Sequence, residues 1–68
     1  MTTPESLGYS LYKNNDDKII YVKYESDRRV TLELDIQNKT VQKYVNDFIK
    51  KVEVKPSGIE SILMKNLL

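Results

Sequence analysis

Two periods divide the chain. Across residues 30–36, Val-Thr-Leu-Glu-Leu-Asp-Ile, apolar and polar residues alternate without exception, the period of a strand with one buried face. Residues 18–24, Lys-Ile-Ile-Tyr-Val-Lys-Tyr, are rich in β-branched and aromatic types and predict a second strand, with a weaker one over residues 8–13. The separators Asn14-Asn15-Asp16-Asp17 and Ser26-Asp27-Arg28 are turn residues. A three-residue loop over Ser26, Asp27 and Arg28 would set Tyr24 opposite Val30, Val22 opposite Leu32 and Ile20 opposite Leu34, all six facing inward. Closing the first hairpin over Asn15-Asp16, or over residues 14–17 in the same register, would add Leu11 beside Ile20 and Tyr9 beside Val22.

From Val41 the period lengthens. Val41, Tyr44, Val45, Phe48, Ile49 and Val52 recur at three- and four-residue steps, with polar residues between them, which predicts an amphipathic helix within residues 39–54. The same residues also read as two strands, 40–45 and 49–54, turning at Asn46-Asp47. Pro56 ends this element. Ser57-Gly58-Ile59-Glu60 then has the form of a capping box opening a terminal helix, whose apolar stripe is Ile59, Ile62, Leu63 and Leu67, widened by Met64 and Leu68. The expected fold is α+β: a three-stranded antiparallel meander followed by two C-terminal helices, the alternative being a four- or five-stranded sheet with one C-terminal helix. Residues 1–6 read as a disordered lead to a single small domain over residues 7–68.

At 68 residues the core is small and stability marginal, so nearly every large apolar side chain is needed in the core or on a partner. The chain has no Cys and no His. It therefore lacks the usual zinc ligands, Cys nucleophile and imidazole base, and no cofactor or metal is expected. Asp16-Asp17 lacks the alternating oxygens and central Gly of a calcium loop. The first residues show no basic stretch with an apolar run behind it, and no run reaches the length of a membrane span, so a soluble cytoplasmic protein is expected.

In the register above, the outer sheet face carries Tyr12, Ile19 and Tyr21 with Lys23, Arg28, Glu33 and Asp35 around them. Tyrosines gathered on a polar face point to a protein contact surface. Residues 1–36 hold five Lys and Arg against seven Asp and Glu, a balance of −2, which disfavours phosphate there. Residues 37–68 balance at +3, and Lys39, Lys43 and Lys50 would share one side of the expected helix, an alternative site for nucleic acid. Met64 and Leu68 would remain partly free and could join two copies of the chain.

The strand ending in Asp35-Ile36-Gln37-Asn38-Lys39-Thr40-Val41, the Lys- and Tyr-rich surface and the amphipathic tail resemble small accessory proteins of bacteriophages and other mobile elements. That resemblance implies stoichiometric inhibition or modulation of a host protein complex by occlusion. The functional expectation is thus a non-enzymatic protein-binding module in the host-cell cytoplasm. The alternative is a small nucleic-acid-binding protein or transcription modulator.

Overall fold

The structure, a computed structural model, describes residues 2–68. A 3-10 turn, Glu5–Leu7, leads into five strands, β1 Ser10–Asn14, β2 Lys18–Glu25, β3 Arg28–Asp35, β4 Thr40–Asn46 and β5 Lys51–Val54, and a helix, α1 Gly58–Lys65. The strands form one antiparallel sheet in the order β1-β2-β3-β4-β5. Each strand therefore pairs with its neighbour in sequence. The fold is α+β with five strands and one helix, which is the alternative architecture; the three-stranded, two-helix reading is corrected.

The segment expected as a helix within residues 39–54 is the β4–β5 hairpin. Its apolar residues satisfied both periods, and two local features favour strands. Val41, Val45 and Val52 are β-branched, and Asp47 closes the turn: its Oδ1 accepts from the amides of Ile49 (2.8 Å) and Lys50 (2.9 Å). The two-strand reading puts the turn at Asn46-Asp47, whereas residues 47–50 form it.

The β2–β3 register also differs from the expected one. Glu25 pairs with Arg28 across a two-residue turn, so Lys23 faces Val30, Tyr21 faces Leu32 and Ile19 faces Leu34. This one-residue shift inverts β2. Ile19 and Tyr21 enter the core, while Ile20, Val22 and Tyr24 take the opposite face. The strand carries apolar residues on both parities, so alternation alone could not orient it, and turn length decided. In β1 the register slips between Leu11 and Lys13, leaving Tyr12 as a bulge.

The core is Tyr9, Ile19, Tyr21, Val30, Leu32, Leu34 and Met64, with Leu7, Ile36, Val41 and Val45 packed against it. α1 lies over β3 and β4 on this side. Its capping box is formed: Ser57 Oγ accepts from the Glu60 amide, and Glu60 Oε1 accepts from the Ser57 amide. The helix is turned from the expected stripe, however, burying Glu60 and Met64 while Ile59 and Ile62 are exposed.

Within the lead expected over residues 1–6, Thr3 and Ser6 hydrogen-bond to each other and residues 5–7 form the 3-10 turn; Met1 lies outside the described residues. Pro4 is buried, and Glu5 Oε1 accepts from the Tyr21 hydroxyl at 2.9 Å. The turn ends at Gly8, whose φ of 95° lies in the left-handed region and where an added Cβ would meet Lys23 Cδ at 3.1 Å. Gly8→Ala is therefore expected to lower stability by about 1 kcal/mol, measurable by urea denaturation.

Candidate functional site

Three places carry chemistry that the core does not require. The first is inside the molecule. Glu60, 7% exposed, accepts from the Tyr9 hydroxyl (2.7 Å) at Oε2, from the Ser57 amide (2.9 Å) at Oε1 and from Lys43 Nζ at both oxygens (3.1 and 3.2 Å). Burial alone would raise this carboxyl. The donors from Tyr9, Ser57 and Lys43 outweigh burial and hold it down at about 2. Burial, and then the Glu60 carboxylate, push the Tyr9 phenol well above its ordinary range. Lys23 Nζ lies 4.7 Å from the Tyr9 ring centroid. A carboxylate with every oxygen occupied and a pKa this low is a poor proton acceptor near neutrality. The cluster ties the end of the 3-10 turn, β4 and α1 together.

The second place is the sheet face opposite α1, which no described element covers. Alternation puts Ile20, Val22, Tyr24, Arg29, Thr31, Glu33, Gln42, Tyr44, Lys51 and Glu53 there. Tyr12, Ile20, Val22, Arg29, Thr31, Glu33 and Lys51 enclose a shallow concavity of about 150 Å³. Lys51 Nζ sits 4.3 Å from the Tyr44 centroid, and Lys18 pairs with Glu33 at 3.6 Å. Burial, followed by the nearby Glu53 and Glu33, raises the Tyr44 phenol. Cations and carboxylates are thus interleaved.

The third place is one end of the sheet. The β4–β5 turn raises Phe48 and Ile49 to 93% and 90% exposure, the highest of the large apolar side chains among the described residues. Beside them the β2–β3 turn forms a concavity of about 340 Å³ lined by Tyr24, Glu25, Ser26, Asp27, Arg28, Arg29, Asn46, Asp47 and Phe48. The turn is well defined: the amides of Lys50 and Ile49 bond to the Asp47 carboxylate and lower its pKa, and the Asp47 amide donates to the Lys50 carbonyl at 3.1 Å.

The residues expected to form the protein contact are divided between faces. Tyr12, Glu33 and Asp35 lie away from the core, and Arg28 pairs with Glu25 at 3.2 Å in the β2–β3 turn. Ile19 and Tyr21 are buried, and Lys23 lies on the core side over Tyr9. The expected outer patch of Tyr12, Ile19 and Tyr21 therefore does not exist. The tyrosines on the face away from the core are Tyr12, Tyr24 and Tyr44.

The expected lysine face is dispersed as well. Lys39 sits in the β3–β4 turn with a positive φ of 56°, Lys43 is bound by Glu60, and Lys50 lies in the β4–β5 turn. Lys39 and Lys50 flank opposite ends of β4, about 25 Å apart along the strand. Met64 is fully buried and cannot contribute to a surface contact, whereas Leu68 is exposed.

No protein-family model, no curated protein and no solved structure matches the chain. Among the described residues no helix is long and apolar enough to cross a membrane, and no group of three or more metal-binding side chains is gathered. Period alone places Phe48 and Ile49 in the apolar stripe of a helix, whereas the turn residues Asn46-Asp47 before them mark a hairpin tip.

Proposed function

We propose that the protein is a small non-enzymatic protein-binding module that inserts Phe48 and Ile49 into an apolar recess of its partner, with Tyr24, Arg28 and Arg29 as the rim. The supporting observation is the exposure of those two side chains on a turn held by Asp47. A chain of 68 residues has little apolar area to spare, and the hydrogen bonds that hold the turn use the Asp47 carboxylate and backbone groups but no side-chain atom of residues 48 and 49, so polar residues could stand at both positions. Transfer of each side chain from water into a recess is worth about 1.5–3 kcal/mol. Aromatic and arginine side chains beside such an anchor are the common composition of binding hot spots. The module acts stoichiometrically, occluding a partner complex, the mode implied by the likeness to phage and mobile-element accessory proteins.

The test compares the wild-type protein with Phe48→Ser/Ile49→Ser as immobilised bait in a lysate of the native host, before and after nuclease. A partner that survives nuclease, is retained by wild type and is lost by the variant is the expected result, with melting temperature and circular dichroism unchanged. Equal retention by the variant would exclude the turn as anchor. Loss of every partner on nuclease treatment would replace the protein-binding reading with the nucleic-acid one.

A further inference from the structure

A five-stranded meander has two open edges, and here they differ. β1 is interrupted by the Tyr12 bulge, a device that discourages further pairing. β5 is regular through Lys51, Val52, Glu53 and Val54. Its hydrogen-bonding phase follows from the turn, where the Asp47 amide donates to the Lys50 carbonyl. Alternating from that pair, Val52 and Val54 direct their backbone groups to β4, while Lys51 and Glu53 direct theirs to the open edge. Val52, on the core side, remains 40% exposed because nothing lies beyond it. Among the described residues neither Lys51 nor Glu53 has an ion-pair partner.

We propose that this edge is an interface for a second copy of the chain, β5 pairing antiparallel with β5 about a two-fold axis through Val52. In that register Val52 meets Val52 on the core side. Lys51 lies opposite Glu53 of the second copy, and Glu53 opposite its Lys51. Those are the residues whose backbone groups are free, so the pairing forms two reciprocal ion pairs and four backbone hydrogen bonds together. The neighbouring symmetric registers fail on charge. An axis through Glu53 sets Glu53 against Glu53 and Lys51 against Lys55, and an axis through Lys51 sets two lysines together. Among axes through Lys51, Val52 or Glu53 the charge order selects the one through Val52; an axis through Val54 would rely on Lys55, outside β5 and next to Pro56. The product is a ten-stranded sheet with both α1 helices on one side.

Light scattering on a concentration series from micromolar to millimolar is the test. The wild-type mass should approach twice 8.0 kDa at the upper end. Lys51→Glu or Glu53→Lys alone turns both ion pairs into repulsions and should raise the dimer dissociation constant at least about tenfold. Lys51→Glu/Glu53→Lys carries both changes and should restore the dimer, which also shows that neither substitution prevents folding. A mass of 8.0 kDa at every concentration, single variants that dimerise like wild type, or a double variant that stays monomeric would each overturn the proposal. The interface lies outside Phe48 and Ile49, so this result is independent of the partner-capture experiment.

Discussion

Glu60→Ala is expected to lower the melting temperature by roughly 12–24 °C. The substitution removes the side-chain half of the capping box, the bond from the Ser57 amide, and strands two buried or half-buried donors, the Tyr9 hydroxyl and Lys43 Nζ. Breaking a buried pair from one side costs about 3 kcal/mol or more, and each kcal/mol moves the midpoint of a domain this size by about 4–8 °C. Total stability for 68 residues is on the order of 3–10 kcal/mol, so the variant sits near the edge of folding. Differential scanning calorimetry measures the shift, and one of only a degree or two would mean that the cluster relaxes at little cost.

The same carboxylate sets an acid dependence. Its folded pKa of about 2 lies below the ordinary value of 4.5, so its stabilisation is complete above the unfolded value and disappears as pH falls from about 5 to 2. Glu5, Asp35 and Asp47 are lowered too and add to the slope in the same direction. The contribution of Glu60 is the difference between wild type and Glu60→Gln: wild type should lose stability more steeply over that range. Parallel curves would show that the carboxylate contributes none of it.

Met64→Ala is the second large effect. Met64 has no exposed surface and lies against the sheet side chains that form the core, so truncation leaves a cavity and should cost about 2–5 kcal/mol. Ile62→Ala, two residues earlier on the exposed side of α1, should change stability by less than about 0.5 kcal/mol. Urea midpoints of the two variants would therefore differ widely. A reversed order would mean that α1 presents its other side to the sheet.

That contrast also shows where the sequence was readable. Ser57 and Glu60 located the start of α1 because a capping box is a local hydrogen-bonding device, but which side of the helix is buried depends on what lies beneath it. Glu60 is drawn inward by Tyr9 and Lys43, 51 and 17 residues away in sequence, and no local period records such a meeting. The strict alternation of residues 30–36 oriented β3 correctly, with Val30, Leu32 and Leu34 all buried. β2 had no such asymmetry, and the single residue by which its turn was misjudged moved Ile19 and Tyr21 from a supposed surface to the interior. The hairpin of β4 and β5 was legible only as an alternative because its valines fit both periods. Phe48 and Ile49 are exposed because Asp47 closes a turn there, a local hydrogen-bonding arrangement that a helical period hides.

The serial order of the strands has a consequence for biosynthesis. Every pairing joins consecutive elements, so each hairpin can form soon after its second strand leaves the ribosome, with little loop-closure entropy to overcome. The cover arrives last. A sheet formed before residues 58–65 are released would leave Leu32, Leu34 and Tyr21 without Met64 above them and Tyr9 without Glu60. The only α-helical cover of that side follows all five strands in sequence among the described residues, so α1 and the sheet complete the core together.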